Sequence, residues 1–444
     1  MKMESVWIHG AGSEMQGVGR LSDGRAAFVP GALPGERVEI EIIRDAQRYC
    51  EARLLKVQQP SPERAKSACP YYESCGGCSV RHMNYAYSLR LKRQRVFDAL
   101  TRIGGVQEPV VYDTIGCAEP ERSRNKAEYA LELRGTELKI GCFAPRSHRV
   151  IPVEDCLLQK EQSVRLLNWA KRELGRYSCA SRLRYIVTRV NRTGEMTAVF
   201  CADIPVQREV QNLAAELMRA VPELKSLYFC KLKLRAAHAL DGECIHIAGA
   251  RTMTDTLLGL EFELSPQSFF QVNPVQAEIL YLKALEAAGL EEGCQKRVLD
   301  AYCGAGTITL AAARLAKSAL GVEIVPPAIE NAKKNAKRND LEGKSRFVCA
   351  DAAKEIPRRI AAGECFDAAI LDPPRKGADA ALLDALAEAR IPVISYVSCN
   401  PSTLARDVKL LTERGYRLVW AQPVDMFAWT SHVETIVLLQ RETL

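Results

Sequence analysis

The stretch VLDAYCGAGTITLAAARLA, at residues 298–316, decides the fold of this chain. It begins with an apolar run, continues through a turn that contains Gly304 and Gly306, and ends in helix-forming residues. A strand, a glycine turn and a helix in this order are typical of a parallel α/β unit, in which the glycines let the backbone approach a ligand. The turn has neither the three-glycine dinucleotide pattern nor the Lys-Ser/Thr ending of a triphosphate loop. It therefore predicts either a ligand without a phosphate chain or a purely structural turn.

Helical stretches alternate with short apolar runs from about residue 265 to the end of the sequence. The apolar runs are KRVLDAYCG, SALGVEIV, SRFVCAD, FDAAILDPP, IPVISYVSCN and TIVLLQ. Such alternation is typical of a parallel sheet with helices on both faces. We therefore predict a doubly wound, Rossmann-like α/β domain over residues 265–444.

Acidic residues follow the first three strands of this predicted sheet. Asp300 precedes the glycine turn, Glu323 lies near the end of SALGVEIV, and Asp351 closes FVCAD. An acid at the end of the second strand is placed to accept hydrogen bonds from ribose hydroxyls, and Asp351 would lie near an adenine edge. Each acid alone could be a surface residue, but together they predict a nucleoside pocket. S-adenosyl-L-methionine, a cation with an adenosine and no phosphate, fits this pocket best.

Two smaller modules precede this domain in the sequence. Residues 1–59 place closely spaced glycine and proline among short β-rich runs such as RVEIEIIR and RYCEARLLKV, which predicts a small β-barrel. Its acidic and basic residues nearly balance, so a packing or spacer role is the alternative to ligand binding. Residues 60–264 combine short strands with a helix near 157–175, which predicts a central α+β domain.

A basic helix is predicted within the central region, at residues 84–105. The sequence NYAYSLRLKRQRVFDALTRIGG has amphipathic spacing and a terminal pair of glycines. Six basic residues and one acid, Asp98, lie between Arg81 and Arg102. Such a face either contacts RNA or is simply solvated, and the helix could also pack on the domain at 265–444.

Composition limits the class of protein. The 444 residues are 47% apolar and 26% charged, and no run of about 18 apolar residues could cross a bilayer. The start, MKMESVWIHGAG, lacks the apolar core and cleavage site of a secretory signal, so we expect a cytoplasmic protein without a membrane partner. Lys and Arg exceed Asp and Glu by 61 to 54, or +7, which is compatible with a nucleic-acid partner without requiring one.

The fourth and fifth predicted strands end in residue types that can bind a ligand or take part in catalysis. ILDPPRKG places Asp372 before a stiff Pro-Pro turn, which fits either a methyl donor or the base being methylated. SYVSCNPSTLARD places Cys399 just beyond an apolar run, at the sheet edge where α/β proteins bind ligands. A cysteine in such a place is more often a small apolar filler.

Methylation of carbon 5 of uracil would give Cys399 a function. That carbon is a poor nucleophile until a thiolate adds to carbon 6 and converts the ring to an enolate. A base must then remove the carbon 5 proton so that the cysteine is eliminated. Glu434, at the start of the apolar run TIVLL, is our candidate for this base, and His432 is either the alternative base or a polar neighbour.

Several motifs resemble, in order and spacing, those of the RNA uracil-5-methyltransferase family. They are SFFQVNP at 268–274, LDAYCGAGT, ILDPPRKG, YVSCNPSTLARD and HVETIVLL. GVGRL with FVPGALPGE resembles the TRAM domain, an OB-like barrel, of its ribosomal-RNA members, and SRNKAEY resembles their central-domain signature. The resemblance implies an S-adenosyl-L-methionine-dependent methyltransferase that acts, as a monomer, on a uridine of RNA, with 23S ribosomal RNA favoured.

The resemblance also implies roles for single residues. Cys399 would be the nucleophile and Glu434 the proton acceptor. Donor binding is implied for residues of the glycine turn and of the motifs around it, namely Gln271, Tyr302, Gly304, Gly306, Glu323, Asp351 and Asp372. Thr307 stands where several family members carry Asn, so a role for its side chain stays open.

The same resemblance implies that Cys69, Cys75, Cys78 and Cys156 are the ligands of a [4Fe-4S] cluster, which needs four thiolates. From spacing alone, tetrahedral zinc and the absence of any metal are alternatives. A thioredoxin-like pair is disfavoured because the expected strand-to-helix setting is missing. The cluster would have a structural or RNA-docking role, since the proposed reaction moves no net electrons.

Two other functions compete with uracil methylation. An RNA methyltransferase could act on an exocyclic amine, and that reaction needs no cysteine. It could also act on cytosine, but the motifs that flank Cys399 resemble those of the uracil-modifying enzymes. A non-catalytic RNA-binding or ribosome-assembly factor would leave Cys399 and Glu434 without a function. A transfer-RNA substrate is the alternative to 23S ribosomal RNA within the family.

Overall fold

The computed structural model describes residues 2–135 and 137–442. This part of the chain forms a closed five-stranded barrel, two seven-stranded sheets and one two-stranded hairpin. The predicted α/β fold, with an N-terminal barrel and a central α+β region, is confirmed. The predicted domain boundaries at 59/60 and 264/265 remain predictions.

The N-terminal strands close into a barrel in the order β1-β2-β3-β5-β4. Their bounds are β1 (Met3–Ala11), β2 (Gly17–Arg20), β3 (Ala26–Val29), β4 (Arg37–Asp45) and β5 (Tyr49–Gln59). Val6 and Ile8 alternate with exposed neighbours on β1, and with Val38 and Ile40 of β4 they fill the barrel, because successive side chains of a strand point to opposite faces. The barrel therefore has its own small core.

Helix α1 (Tyr85–Arg102) is the predicted basic helix, and it lies against the C-terminal sheet. Val96, Ala99 and Leu100 belong to the same buried core as Leu404 of that sheet's flanking helix. Lys92 is fully buried and forms an ion pair with Asp425, whose carboxylate is also fully buried. One of the basic residues of this helix is therefore neither solvated nor available to RNA.

The central sheet has the strand order β12-β11-β10-β9-β6-β7-β8. Its strands are β6 (Lys126–Arg134), β7 (Glu137–Phe143), β8 (Val150–Pro152), β9 (Leu183–Val190), β10 (Met196–Ala202), β11 (Leu224–Leu232) and β12 (Gly242–Gly249). Helices α2 (Glu161–Glu173) and α3 (Gln207–Ala220) share a buried core with it. A helix near α2 was predicted from the sequence, whereas α3 was not.

The C-terminal sheet has the order β17-β16-β15-β18-β19-β21-β20, and β21 is antiparallel to both of its neighbours. A hairpin of β13 (Met253–Leu257) and β14 (Leu260–Leu264) precedes it. The sheet strands are β15 (Arg297–Ala301), β16 (Ser318–Glu323), β17 (Ser345–Cys349), β18 (Ala368–Leu371), β19 (Val393–Ser398), β20 (Tyr416–Val424) and β21 (Glu434–Arg441). The helices are α4 (Pro274–Ala287), α5 (Thr307–Leu315), α6 (Pro326–Arg338), α7 (Ala352–Ala361), α8 (Ala380–Glu388) and α9 (Pro401–Thr412).

Local sequence explains how the helices of this domain begin. The side chains of Asn273, Asp351, Asp379 and Asn400 each accept a backbone N–H two or three residues ahead. Such N-caps satisfy donors that the first helical turn leaves unpaired. These caps fix the residue at which each helix begins. Across residues 2–135 and 137–442, we find no helix with the length and apolar character that a bilayer span requires.

Candidate active site

The glycine turn after β15 has an unusual backbone. Tyr302, Gly304 and Gly306 have φ values of +71°, +52° and +85°. A tyrosine in this left-handed region is strained, and its neighbours must hold it there. The amide groups of Tyr302 and Cys303 both donate to the carbonyl of Val322, at 2.9 and 3.0 Å. The turn is therefore fixed to β16 before any ligand arrives.

Gly306 also has no space for a side chain. A Cβ atom there would lie 3.0 Å from the ring of Phe347 and 3.0 Å from the Cβ of Ala332. With its positive φ, this crowding explains why the turn needs glycine at this point.

Glu323 ties the turn to the end of β16. Its carboxylate accepts the Gly304 amide at 3.1 Å and the Val325 amide at 2.9 Å. Asp351, at the start of α7, accepts the Ala353 amide at 3.0 Å. Both predicted nucleoside ligands thus lie at successive strand ends, and each also orders its own loop.

Asp300 is fully buried beneath the turn. One carboxylate oxygen accepts the Thr309 hydroxyl at 2.5 Å, and the other has no hydrogen-bond partner among the described residues. Burial raises the pKa of Asp300 to about 8. With this raised pKa the acid is largely protonated at neutral pH, so it supports the turn from beneath and contributes no charge for a cationic ligand.

The loop that bears Gln271 is held by the central domain. Asn125 donates its side-chain amide to the Gln271 carbonyl at 3.2 Å and its backbone amide to the Val272 carbonyl at 2.7 Å. The buried guanidinium of Arg189 donates to the Ser268 carbonyl at 2.7 Å. Asn125 lies in the SRNKAEY motif, so this motif positions a predicted donor ligand.

Tyr281, on α4, is a site residue that the sequence analysis missed. It is buried, and the side chains of Gln271 and Thr307 lie close enough to its hydroxyl to lower its pKa. Burial and the charge of Asp372 raise its pKa. In the sequence it resembles any core aromatic of an apolar helix, so no signal distinguished it.

Cys399 and Glu434 lie at neighbouring strand ends. Ser398 pairs with Thr435 in the antiparallel register of β19 and β21, so the next residues, Cys399 and Glu434, stand opposite each other. Cys399 is half-buried, whereas Glu434 is only 5% exposed. The carboxylate and the thiol thus lie in one cleft at the carboxyl edge of the sheet.

The surroundings of this cleft favour the protonated, neutral forms of its acidic side chains. Burial raises the pKa of Glu434 to about 8, with a further contribution from the charge of Asp372, whose own pKa burial raises to about 7. Burial also raises the pKa of the Cys399 thiol, and the nearby Glu434 carboxylate raises it further. A base with a pKa near 8 is stronger than an ordinary carboxylate.

Arg375 opposes these shifts. Its guanidinium lowers the pKa values of both Cys399 and Glu434. Its carbonyl accepts the side chains of Asn400 at 3.2 Å and Thr403 at 3.3 Å, which fixes its loop to the turn after Cys399. Arg375 lies in the motif ILDPPRKG, and its position three residues after Asp372 was the available signal for this missed residue.

His432 lies two residues before Glu434 in the chain, whereas the pairing of β19 with β21 places Glu434 itself opposite Cys399. His432 is half-buried, its ring packs edge-on against Phe427, and burial lowers its pKa. The geometry therefore gives Glu434 the closer relation to the thiol.

Comparisons with known proteins identify the family. A family model described as tRNA (Uracil-5-)-methyltransferase matches residues 257–442, and the TRAM domain model matches residues 3–55. A Halalkalibacterium halodurans protein described as an uncharacterized RNA methyltransferase is 38% identical, over 94% of this chain and 93% of its own length. A similarly described Caldanaerobacter subterraneus protein is 40% identical, over 98% of this chain and 97% of its own length. The chain belongs to the RNA uracil-5-methyltransferase family.

A solved structure extends this result to the whole fold. The Pyrococcus abyssi tRNA (uracil-54, C5)-methyltransferase in complex with S-adenosyl-L-homocysteine has a TM-score of 0.76 and 26% identity, covering 98% of this chain and 100% of that one. Our protein is thus an S-adenosyl-L-methionine-dependent RNA methyltransferase with a TRAM domain, as the resemblance implied.

The predicted cysteine ligands of this methyltransferase line one cavity of about 730 Å³. Cys69, Cys75 and Cys78 come from the segment before α1, and Cys156 comes from the central domain. A fifth cysteine, Cys142 on β7, lines the same cavity. The sequence analysis missed Cys142, because it lies inside a strand pattern without a metal-binding spacing.

Proposed function

We propose that this methyltransferase adds a methyl group to carbon 5 of a uridine in RNA, through a covalent bond between Cys399 and carbon 6 of the base. The observation that supports this most strongly is the placement of Cys399 opposite Glu434, at the sheet edge that also bears the glycine turn. Methylation of an exocyclic amine would leave this pair without a use.

In the proposed reaction, the events in the cleft follow one order. The Cys399 thiolate adds to carbon 6 of uracil, and the electron pair of the ring double bond moves to give an enolate that is nucleophilic at carbon 5. S-adenosyl-L-methionine supplies the electrophilic methyl group when it is bound. Glu434 then accepts the carbon 5 proton, the ring double bond re-forms, and the Cys399 sulfur leaves with its bonding electrons.

Arg375 assists the first step of this sequence. Its positive charge favours the thiolate form of Cys399 in a cleft where burial and two carboxyl groups oppose it. The raised pKa of Glu434 makes it a basic carboxylate once it is ionised, which suits removal of a proton from carbon.

The donor would be held by the residues around the glycine turn. Gly304 and Gly306 permit close approach, and Tyr302 and Glu323 line the turn. Asp351 has one oxygen that its N-cap bond leaves available. Gln271, whose loop is held by Asn125, and Asp372, which follows β18, would complete the donor site.

We also propose that Cys69, Cys75, Cys78 and Cys156 hold a [4Fe-4S] cluster with a structural role. The four cysteines line one cavity, and a [4Fe-4S] cluster needs four thiolates, so the lining supports the proposal. Among the described residues, no group of three or more His, Cys, Asp or Glu side chains is arranged to hold a metal ion, so the assignment rests on the family resemblance and on the shared cavity.

The RNA substrate is proposed to be 23S ribosomal RNA, because the TRAM barrel and the cysteine set resemble the ribosomal-RNA members of the family. Transfer RNA is the second candidate, since the Pyrococcus abyssi protein of similar fold is named for uracil 54 of tRNA. In either RNA the target base must leave its stack to reach Cys399.

One experiment tests the reaction and the substrate together. Ribosomal and transfer RNA from a strain that lacks this protein are incubated with the purified enzyme and methyl-labelled S-adenosyl-L-methionine, and nucleosides are then analysed. We expect labelled 5-methyluridine in 23S ribosomal RNA. Label only in transfer RNA would overturn the ribosomal assignment, and label in cytosine, in an amine or in no nucleoside would overturn the proposed reaction.

A further inference from the structure

The segment at residues 425–433, which leads into Glu434, is held by parts of the chain far away in sequence. Arg95 of α1 donates to the Ser431 carbonyl at 2.7 Å, and Glu14 of the barrel accepts the Ser431 hydroxyl at 3.1 Å. The Ser431 amide donates to the Ser79 hydroxyl at 3.0 Å. The position of Glu434 therefore depends on contacts outside its own domain.

Trp429 is the strained point of this segment. Its φ is +64°, a left-handed value that is rare for a bulky residue and that neighbours must enforce. Its carbonyl accepts the amides of Ser79 at 3.0 Å and Val80 at 3.2 Å. Its ring lies 5.1 Å from the ring of Tyr85. Both amides follow directly after Cys78 in the chain.

Arg81 connects this strained residue to the cysteine cavity. It is only 4% exposed, and its guanidinium lies 4.8 Å from the centre of the Trp429 ring. Its Nε donates to the Cys78 sulfur at 3.2 Å. Its two terminal nitrogens donate to Glu121 at 2.7 and 2.8 Å. One buried, planar cation thus contacts both a proposed cluster ligand and the segment that ends at Glu434.

We propose that Arg81 is a positioning residue, which transmits the state of the cysteine centre through Trp429 to Glu434. With Cys78 held as a ligand, its sulfur accepts from Arg81, and the guanidinium keeps Trp429 in its strained conformation. When the cluster is lost, Cys78 is free to move and the contact between Arg81 and Trp429 loosens. Glu434 then moves away from the uracil ring. The inference rests on the proposed function, because it assumes the covalent adduct and the cluster.

The test follows the breakdown of the covalent adduct, which requires Glu434, separately from its formation. Arg81→Ala and wild-type enzyme are each prepared with the cluster loaded and with it removed. Adduct formation and the first-order decay of preformed adduct are then measured. We expect loaded Arg81→Ala to form adduct at the wild-type rate within about twofold and to resolve it about tenfold more slowly. Cluster removal should slow resolution in the wild type but add little in Arg81→Ala.

Arg441→Ala is the matched control. Arg441 makes the same kind of contact, 5.6 Å from the centre of the Tyr416 ring, at the opposite end of β21. The Arg441→Ala enzyme should resolve the adduct at the wild-type rate, because Arg441 lies at the end of β21 that is remote from Glu434. Equal slowing by both variants would indicate general destabilisation and would overturn the positioning role.

Other outcomes are equally decisive. Wild-type resolution in loaded Arg81→Ala, or the same slowing on cluster removal in both proteins, would show that the two features act independently and would end the proposal. If Arg81→Ala loses iron or its circular dichroism, Arg81→Lys takes its place, since it keeps the charge and loses the planar fork. If the wild type unfolds without the cluster, Cys78→Ser replaces cluster removal. A wild type that forms no adduct would instead refute the proposed function.

Discussion

Cys399 and Glu434 stand opposite each other where the pairing of β19 with β21 ends, one residue beyond the pair Ser398 and Thr435. They belong to strands separated in sequence by α9 and β20, and only the reversal of β21 brings them together. A parallel β21 would place Glu434 at the opposite edge of the sheet. The single antiparallel strand of this sheet therefore makes the pairing of nucleophile and base possible.

Replacing Cys399 with alanine should abolish methyl transfer, by at least about a thousandfold, because the proposed reaction requires its thiolate to form the bond to carbon 6. Binding of S-adenosyl-L-methionine, measured by calorimetry, should change by less than about threefold. Cys365→Ala is the control, since Cys365 is an exposed cysteine that precedes β18 and so lies at the far edge of the sheet. Methylation by Cys399→Ala at even a tenth of the wild-type rate would remove the thiol from the mechanism.

Replacing Glu434 with glutamine should trap the methylated RNA on the protein. The amide cannot accept the carbon 5 proton, so elimination of Cys399 stalls after methyl transfer. Denaturing gels should show a protein–RNA adduct that carries the label from the donor and accumulates to near stoichiometry. His432→Gln is the comparison, because His432 is the alternative base. Accumulation with His432→Gln and normal turnover with Glu434→Gln would exchange their roles.

Replacing Arg375 with alanine should move the pH dependence of adduct formation to higher pH. Arg375 lowers the pKa of the Cys399 thiol, so its loss leaves less thiolate at any given pH. The rate at pH 7 should fall about tenfold and should recover partly as the pH rises, because the thiolate is the reactive form. Lys376→Ala removes a neighbouring exposed charge, and its profile should keep the wild-type midpoint. An unshifted profile in Arg375→Ala would contradict this role.

Features encoded in short stretches of the sequence were predicted successfully. The strand, the glycine turn and the helix around Gly304 are determined by residues that are neighbours in the sequence. The doubly wound sheet could be predicted from such local patterns. Strand ends could be located, so residues at the carboxyl edge could be named before the structure was known.

Contacts between distant parts of the chain were not predictable from one sequence. Lys92 and Asp425 form a buried ion pair across 333 residues, and neither residue shows in its local pattern that it is buried. A buried charge without its partner would be strongly unfavourable, so the pair requires α1 to dock on the C-terminal domain. Tyr281 and Cys142 were missed for the same reason, because their roles depend on neighbours from other elements.

Replacing Asp300 with asparagine should change how stability depends on pH. Burial raises the pKa of Asp300 from 3.8 to about 8, so the folded protein retains a proton that the unfolded chain releases. This contribution is present below pH 4 and is lost as the pH rises towards 8. The melting temperature of Asp300→Asn minus that of the wild type should therefore increase between pH 5 and pH 9, by more than about 2 °C. A constant difference would show that Asp300 is ionised in the folded protein.

Analysis of iron and sulfide after anaerobic purification should distinguish the four proposed ligands from the fifth cysteine of the cavity. Cys156→Ser should lower the iron content to less than half of the wild-type value, because a [4Fe-4S] cluster needs a thiolate at each iron. Cys142→Ser should keep the iron, since the family resemblance assigns no ligand there. Zinc in place of iron in the wild type would refute the cluster, and loss of iron only in Cys142→Ser would place Cys142 among the ligands instead of Cys156.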